Sequence, residues 1–305
     1  MTSENEVVEI RGLTRLFWHK TALADITLNI PRGIVFGLVG ENGAGKTTLI
    51  KHLLGLLKAQ AGTVSVFGLN PVDDPVGVLG RIGYLSESRE MPDWMRINQF
   101  MSYSQAFYPQ WDTRYAEELR EMFELAKEQR IKSLSRGQRA RVGLLAALAH
   151  RPEFLVLDEP SSGLDPIVRR DILSAIIRTV ADEGRTILFS SHLLDEVERV
   201  ADRVAMLHLG RLVMSAPLDQ ILDEHHVLTL QFADSLETAP SLVGGLGWSG
   251  EGREWTCVCN GELEQLGSAA TTTGAVIVAE RRPSLEEVFL ARARSAQSRR
   301  PEGKP

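Results

Sequence analysis

The segment Gly40–Thr47 reads GENGAGKT and constrains the fold of this chain more than any other feature, because it fits the spacing G-x-x-x-x-G-K-[ST]. An almost wholly apolar run, Ile34–Val39, precedes it, and leucines and isoleucine at helical spacing follow it over residues 47–57. A glycine loop between a buried strand and a helix can point backbone N–H groups at phosphates. This placement predicts a phosphate-binding loop and disfavours an ordinary glycine-rich turn.

Two residues of the loop and two at the end of a second apolar strand carry side chains suited to phosphate chemistry. Lys46 would place a cation at the β- and γ-phosphates, and the Thr47 hydroxyl would ligate Mg²⁺. Asp158 and Glu159 follow the apolar run FLVL, at the strand end where ligands bind in open α/β sheets. Asp158 could hold Mg²⁺ through its water shell, and Glu159 could orient and deprotonate an attacking water. The alternative interpretation is structural: the strand ends here, Asp caps a helix, and Pro160 enforces the turn.

The alternation of apolar strands and amphipathic helices over residues 1–215 indicates an α/β domain with a parallel sheet. Residues 88–150 are predicted to contain an inserted helical subdomain, since aromatic residues, Met and charged residues recur there at helical spacing. Three strand-like runs and a closing helix predict a small α+β domain over residues 216–292. Residues 293–305 are expected to form a flexible tail.

Composition narrows the classes of protein to which this chain could belong. The net charge of −6, from 34 basic and 40 acidic residues, argues against a nucleic-acid partner. Cys257 and Cys259, the only cysteines, lie one residue apart on one face of a predicted strand, so we expect packed side chains rather than metal ligands, in a reducing cytoplasm. No run of about 18 apolar residues occurs, and the first ten residues are polar and acidic, so we expect neither a membrane span nor a secretory route.

Three short motifs follow the phosphate loop in a fixed order: LSRGQ at Leu134–Gln138, SGLD at Ser162–Asp165 and SSH at Ser190–His192. With the phosphate loop and the acidic strand end, they resemble the motif set of the ATP-binding cassette (ABC) ATPases across residues 40–192. Small GTPases and nucleotide kinases lack the LSRGQ element. The resemblance implies a P-loop NTPase fold with a RecA-like core sheet, an antiparallel β subdomain and a helical signature subdomain.

The resemblance also implies ligands, ATP and Mg²⁺, and the residues that bind them. The ATP-binding residues of the same chain would be Phe17, Gly40, Glu41, Asn42, Gly43, Ala44, Gly45, Lys46, Thr47 and Thr48. The residues reaching the ATP of the other subunit would be Ser135, Arg136, Gly137, Gln138 and Asp165. Thr47, Glu87 and Asp158 would ligate the metal, and Glu159 and His192 would be catalytic.

Several of these residues also have ordinary structural interpretations. Phe17 or Trp18 could belong to the core instead of stacking on adenine, His192 could be structural, and Asp165 could be a turn residue. An N-cap role for Ser135 is compatible with phosphate binding. Glu87 stands where the family often has Gln, Arg136 replaces a commoner Gly, and Phe17 replaces the usual Tyr, but none of these departures removes a catalytic group.

For function, the resemblance implies a stand-alone, export-type ATPase subunit. Two copies, or one copy and a relative, would enclose two MgATP and drive a separate integral membrane permease, from the cytoplasmic side of the cell membrane. The segment Met91–Trp111 would offer aromatic rings to that permease, although about half of them would fill the subdomain core; the rings are Trp94, Tyr103, Phe107, Tyr108 and Trp111. A soluble ABC ATPase acting on ribosomes or DNA and a non-transport regulatory ATP-binding subunit are the alternatives.

Overall fold

The computed structural model describes residues 5–170, 172–174 and 184–298. The chain divides into two compact units, Met1–Leu212 and Val213–Pro305. The boundary expected after residue 215 lies close to this division. No helix among the described residues is both long enough and apolar enough to cross a lipid bilayer.

The first unit consists of strands and helices in alternation. Its strands, the last of which extends past the unit boundary, are β1 (Glu6–Phe17), β2 (Lys20–Pro31), β3 (Val35–Val39), β4 (Ala61–Val66), β5 (Ile82–Leu85), β6 (Phe154–Asp158), β7 (Thr186–Ser191), β8 (Arg203–His208) and β9 (Arg211–Pro217). Its labelled helices are α1 (Lys46–Leu53), α2 (Pro75–Leu79), α3 (Ile97–Gln105), α4 (Thr113–Met122), α5 (Arg136–Leu148) and α6 (Leu194–Val200). Residues 166–170 and 172–174 are also helical. The sequence of residues 168–184 predicts a helix by its apolar spacing, and most of the rest of that segment lies outside the described residues.

A six-stranded sheet with the order β5-β6-β7-β3-β8-β9 forms the centre of this unit. The pairs β3–β7, β3–β8, β5–β6 and β6–β7 are parallel. Every residue of β3 and β6 is buried, as expected for strands covered on both faces. The predicted parallel sheet is therefore confirmed.

The register of the sheet brings the ends of three strands together. Val39 pairs with Ser191, and Asp158 pairs with Ser190. Because parallel strands end at the same edge of a sheet, the residues that follow β3, β6 and β7 lie side by side there. The phosphate loop, Glu159 and His192 are those residues.

A second, antiparallel sheet has the order β2-β1-β4. Its apolar face shares one core with α1 and the parallel sheet, which includes Ile10 from β1, Leu23 from β2, Ile50 from α1 and Phe36 from β3. This arrangement confirms the antiparallel subdomain that the family resemblance implied. The sheet also holds the hairpin of Phe17 and Trp18 beside the phosphate loop.

The segment between β5 and β6 forms the predicted helical subdomain. Asp112 caps α4 by accepting from the backbone N–H of Tyr115 at 2.9 Å. The ring of Tyr108 stacks on His150, with centroids 3.8 Å apart. Trp94, Tyr103 and Phe107 are exposed, whereas Tyr108 and Trp111 are half-buried, so two of the five aromatic rings are partly covered and none is fully buried.

The second unit is a small α+β fold. It contains α7 (Leu218–Asp223), β10 (His225–Leu236), β11 (Gly245–Asn260), α8 (Leu263–Thr272), β12 (Ala275–Arg281) and α9 (Leu285–Ser298), and its sheet has the antiparallel order β11-β10-β12. Cys257 and Cys259 are free thiols, fully buried in the core of this unit. The prediction that they are packed side chains is confirmed.

Two sequence-based boundaries differ from the structure. The predicted flexible tail from residue 293 is wrong for residues 293–298, because α9 continues to Ser298; residues 299–305 lie outside the described residues. Ala291 and Ala293 are buried, so packing extends a helix that the local sequence suggested would end. The helix expected over residues 47–57 ends at Leu53, two residues before Gly55, whose φ of +69° lies in the left-handed region typical of helix ends.

Candidate functional site

A cleft of about 360 Å³ lies at the edge of the sheet where β3, β6 and β7 end. Its lining combines the phosphate loop with residues from four other segments, and consists of Phe17, Lys20, Ala22, Glu41, Asn42, Gly43, Gly45, Lys46, Thr47, Thr48, Glu87 and Glu159. Most of the residues predicted to bind ATP within the same chain therefore share one cavity. Lys20 and Ala22 were not predicted, because no motif marks them.

The backbone of the phosphate loop requires glycine where it enters α1. Gly45 is the N-cap of this helix and has a φ of +110°. A Cβ atom at this position would lie 2.6 Å from the carbonyl oxygen of Ala22. The first turn of α1 contains no acidic residue. The positive end of the helix dipole therefore faces the cleft, and no carboxylate of the helix's own first turn competes there with a bound anion.

Lys46 is buried and has three oxygen partners. Its Nζ donates to the carbonyl oxygens of Gly40 at 2.6 Å and Glu41 at 3.3 Å. The same nitrogen lies 2.9 Å from Oε1 of Glu159. The cation predicted to meet phosphate thus also neutralises the carboxylate predicted to activate water.

Glu159 is buried between two partners and has an unusual backbone. Oε2 lies 2.7 Å from Nδ1 of His192, while Oε1 faces Lys46. Its φ of +48° lies in the left-handed region, which costs a non-glycine residue on the order of 1–3 kcal/mol. The backbone N–H of Glu159 donates to Oγ of Ser190 at 3.0 Å, which supports this conformation. The carboxylate is consequently held at the end of β6, with its direction fixed.

Asp158, the preceding residue, has one satisfied and one unsatisfied oxygen. Oδ1 accepts from the hydroxyl of Ser190 at 2.7 Å, whereas Oδ2 is buried with no hydrogen-bond partner among the described residues. A buried carboxylate oxygen without a partner is unfavourable, and a water of a hydrated cation would satisfy it. Ser190 thus contacts both acidic residues, a role that its place in the SSH motif had not suggested.

The residues present fit Mg²⁺ only as part of a nucleotide complex. Among the described residues, no three His, Cys, Asp or Glu side chains converge on a metal-sized site. Thr47 and Glu87 line the cleft and Asp158 ends β6 beside it, so hard oxygen donors are available. This donor set is incomplete without water and phosphate oxygens, which is the usual way that Mg²⁺ is held at phosphate sites.

The two aromatic residues of the β1–β2 hairpin have different surroundings. Phe17 lines the cleft, and the guanidinium carbon of Arg15 lies 4.6 Å from the centroid of its ring. Trp18 is 97% exposed and has a φ of +52° in the turn. Neither ring lies in the core, and of the two only Phe17 lines the cleft. Arg15 was not predicted, since a cation above a ring has no sequence signature.

The LSRGQ segment begins α5. Ser135 is its N-cap: Oγ accepts from the N–H of Gln138 at 3.1 Å, and Oε1 of Gln138 accepts from the N–H of Ser135 at 3.0 Å. Gly137 packs closely, since a Cβ there would lie 2.9 Å from Cγ2 of Val168. A Cβ at Gly163 would lie 3.2 Å from Nη1 of Arg136. The signature segment thus packs on the segment after Glu159, outside the lining of the cleft.

Asp165 belongs to that second segment. It is exposed, and its Oδ1 accepts from the backbone N–H groups of Ile167 at 3.0 Å and Val168 at 3.1 Å. This is a helix N-cap of the ordinary kind. The side chain thus has a structural task within its own chain, while its exposure leaves it open to a partner.

Comparison with known proteins gives consistent results. The family model described as ABC transporter matches residues 23–162. An uncharacterized ABC transporter ATP-binding protein of Synechocystis sp. is 33% identical over 304 residues, which span 95% of this chain and 84% of that protein. The daunorubicin/doxorubicin resistance ATP-binding protein of Streptomyces peucetius is 31% identical over 78% of this chain and 74% of its own length. A solved ATP-binding subunit of an ABC transporter superposes with a TM-score of 0.66 at 28% identity, covering 71% of this chain and 92% of that one.

Proposed function

The chain belongs to the ATP-binding proteins of ABC transporters, which hydrolyse ATP, and from this premise we propose that Glu159 is the general base of the hydrolysis and that the reaction drives a separate membrane permease. The observation that carries the assignment of Glu159 is its position. It directly follows a buried strand beside the phosphate loop, and its carboxylate lies between Lys46 and His192. No other carboxylate in the cleft lining lies between a buried cation and an imidazole.

The proposed reaction uses these contacts directly. Glu159 accepts a proton from a water whose oxygen attacks the γ-phosphorus; the bond from that phosphorus to the bridging oxygen breaks, and ADP leaves with the electron pair. Lys46 stabilises the negative charge that develops on the phosphate oxygens. His192, through Nδ1, holds the carboxylate of Glu159 in its orientation.

We propose Thr47, Glu87 and Asp158 as the residues that hold Mg²⁺, directly or through water. When bound, the ion would supply charge neutralisation at the phosphate oxygens. Phe17 would stack on the adenine ring, with its other face carrying Arg15. The remaining residues of the phosphate loop, Gly40–Thr48, would surround the phosphates with backbone N–H groups.

We further propose that the working form is a dimer enclosing two MgATP. The start of α5 can bind an anion through its N–H groups, and Ser135 Oγ can still donate its proton while it accepts from Gln138. Ser135 and Arg136 are exposed, Gln138 is half-buried and Gly137 is buried, and all four lie outside the cleft lining of their own chain. A second copy, or a related subunit, would bring them and Asp165 to the nucleotide of the first.

The proposed permease contact is the exposed aromatic surface of the helical subdomain. Trp94, Tyr103 and Phe107 are exposed there, and aromatic residues are enriched where proteins meet. The likeness to a drug-resistance ATP-binding protein favours export as the direction. In this proposal the subunit is peripheral, on the cytoplasmic face of the membrane.

The test is ATP hydrolysis and dimer formation by the purified full chain. Lys46→Ala should abolish hydrolysis by weakening nucleotide binding, whereas Glu159→Gln should bind ATP, stop hydrolysis and accumulate as an ATP-dependent dimer. Glu118→Gln, at an exposed carboxylate of α4, is the matched control and should behave as the wild type. Full activity of Glu159→Gln would overturn the assignment of the base. Binding of ATP by the wild type without hydrolysis would favour a regulatory subunit, and co-purification with ribosomes instead of a permease would overturn the transport role.

A further inference from the structure

We propose that Arg89 is a positioning residue of the ATPase reaction, which couples the segment carrying Glu87 to the backbone that carries Glu159. This inference rests on the proposed role of Glu159 and adds a residue that belongs to none of the motifs. It concerns a direct connection between two segments that are about 70 residues apart in the chain.

The connection is made by one guanidinium nitrogen. Nη2 of Arg89 donates to the carbonyl oxygens of Glu159 at 3.3 Å, Pro160 at 2.8 Å and Ser162 at 3.0 Å. The side chain is only 8% exposed. The carbonyl of Glu159 also accepts from the N–H of Ser162 at 3.2 Å. The carbonyls of Pro160 and Ser162 gain a donor from Arg89, and a buried carbonyl without a partner is unfavourable. Arg89 therefore determines the path of the backbone from Glu159 to Ser162.

This backbone carries the proposed general base, so a displacement of it would also move the carboxylate of Glu159. Glu159 is held at a φ of +48°, and Arg89 itself has a φ of +49°. The N–H of Arg89 donates to the carbonyl of Ser86 at 3.2 Å, which closes a turn around Glu87. The turn that presents Glu87 to the cleft and the strand end that presents Glu159 are consequently joined through one side chain.

The same segment is held from its other side by a carboxylate. The hydroxyl of Ser161 donates to Oε2 of Glu196 at 2.5 Å, and Oε1 of Glu196 lies 3.0 Å from Nε of Arg169. Glu196 is fully buried. On one side, the hydrogen bond of Ser161 to Glu196 thus attaches residues 159–162 to α6. On the other side, Arg89 attaches them to the Glu87 turn.

The chemistry of Arg89 indicates more than a stabilising contact. Its hydrogen bonds within the described part of the chain go to carbonyl groups, and Nε is buried without a hydrogen-bond partner there. Burial lowers the pKa of Arg89, and the nearby charge of Glu87 opposes that shift. Burying a guanidinium against neutral groups is a poor way to gain stability, since an apolar side chain of similar volume often does as well. Holding the Glu87 turn in a fixed position relative to residues 159–162, in contrast, requires a donor that reaches all three carbonyls.

A displacement of the Glu87 turn would therefore move the backbone of Glu159, and the reverse would also hold. Among the described residues, the side-chain hydrogen bonds of Arg89 go to the segment after β6 and those of Lys46 go to the phosphate loop, so nucleotide binding should be largely independent of Arg89. The expected signature of this role is a loss in kcat at nearly constant affinity for nucleotide.

The test compares Arg89→Ala with two control variants of the full chain. Arg185→Ala removes another arginine that is 8% exposed, at the amino end of β7 and hence at the opposite edge of the sheet. Arg114→Ala removes an exposed arginine of α4. Steady-state ATPase activity, affinity for a fluorescent ATP analogue and thermal unfolding are measured for each, so that an effect on positioning separates from an effect on stability.

Arg89→Ala should lower kcat by about tenfold or more, since displacement of a catalytic group by about 1 Å can cost two orders of magnitude. Its affinity for the analogue should stay within about twofold of the wild type, because the phosphate loop is untouched. Both controls should retain kcat per folded molecule, even if Arg185→Ala lowers the Tm. Unchanged kcat in Arg89→Ala, or a loss no greater than in Arg185→Ala, would overturn the proposal.

If Arg89→Ala does not fold, the variant Arg89→Lys tests the proposal instead. A lysine ammonium that cannot serve all three carbonyls should lower kcat about threefold at constant affinity, and wild-type kcat would overturn the proposal. Failure of the inference is distinct from failure of the proposed function. A wild type that hydrolyses ATP and depends on Glu159 but not on Arg89 rejects only the inference, whereas an active Glu159→Gln rejects the proposed base itself.

Discussion

Lys46 Nζ and Glu159 Oε1 lie 2.9 Å apart, and both side chains are almost completely buried. The two charges to which the proposal gives separate tasks, one toward phosphate and one toward water, therefore neutralise each other in the cleft. An ion pair in such surroundings is costly to break from one side, because the remaining charge has no compensation.

The first prediction concerns this ion pair. Lys46→Met should lower the free energy of unfolding by about 3 kcal/mol, since it leaves Glu159 as a buried carboxylate without its cation. The double variant Lys46→Met/Glu159→Gln should recover a large part of that loss. Urea unfolding of the wild type, the two single variants and the double variant measures the coupling. If the two single effects add without interaction, the pair does not stabilise the fold as described.

The second prediction concerns Ser190, which donates to Asp158 and accepts from the N–H of Glu159. Ser190→Ala should reduce kcat by about tenfold and stability by about 1–2 kcal/mol, because it removes both contacts and leaves a buried N–H without a partner. Steady-state kinetics and denaturant unfolding measure the two effects. Ser104→Ala, at a buried serine of α3, is the matched control and should leave kcat unchanged. Equal kcat values for the two variants would contradict the role of Ser190.

The third prediction separates the two neighbouring aromatic residues of the hairpin. Phe17→Ala should weaken ATP binding by about 1–3 kcal/mol, the usual contribution of base stacking. Trp18→Ala should have little effect on affinity, since Trp18 is exposed and outside the cleft lining. Equilibrium binding of ATP and of inorganic triphosphate compares them, because only ATP carries the base. A Phe17→Ala variant that loses affinity equally for both ligands would show that the ring does not act through adenine.

The fourth prediction is a dependence of stability on pH through His150. Burial lowers the pKa of His150, and the nearby positive charge of Arg185 lowers it further, against the opposing effect of hydrogen bonds to the carbonyls of Ile82 and Ala146. Below pH 6.5 the unfolded chain therefore binds a proton that the folded chain resists. Stability is fully present above that pH and is lost as the pH falls toward the lower pKa of the folded state.

His150→Gln should flatten this decline, since the amide can replace Nε2–H toward Ile82 without titrating. Thermal unfolding between about pH 7 and pH 5 measures the slope for both proteins. His19→Gln is the control, because His19 is exposed and its replacement should leave the slope unchanged. Equal slopes for the wild type and His150→Gln would show that other groups dominate the acid response.

The sequence predicted those features of the fold that depend on local pattern. The apolar runs of β3 and β6 identify buried strands, and the residues directly after them could be placed at one edge of a parallel sheet without coordinates. The cap at Ser135 was also readable, because its partner Gln138 lies three residues ahead. In each case the controlling contacts are near in sequence, or follow from the rule that parallel strands end together.

Contacts between distant side chains could not be predicted. Nothing in the sequence around Arg89 indicates that it reaches the carbonyls that follow β6, or that Lys46 pairs with Glu159. The continuation of α9 to Ser298 was missed for a similar reason. Residues 294–298 are polar apart from Ala296, so the local sequence does not predict a helix there, and packing of the preceding residues extends it. Such features depend on packing over long separations, to which local propensity is only a weak guide.

The close packing of Gly137 against Val168 has a consequence for the proposed dimer. It joins the start of α5 and the segment of Asp165 into a single surface, so a partner subunit cannot engage one of them alone. In a symmetric pair this surface would occur twice, once at each nucleotide. Binding of ATP at the first site would then bring together the contacts needed at the second site. Binding of the two nucleotides would therefore be cooperative because of the geometry of this surface, without any change of fold.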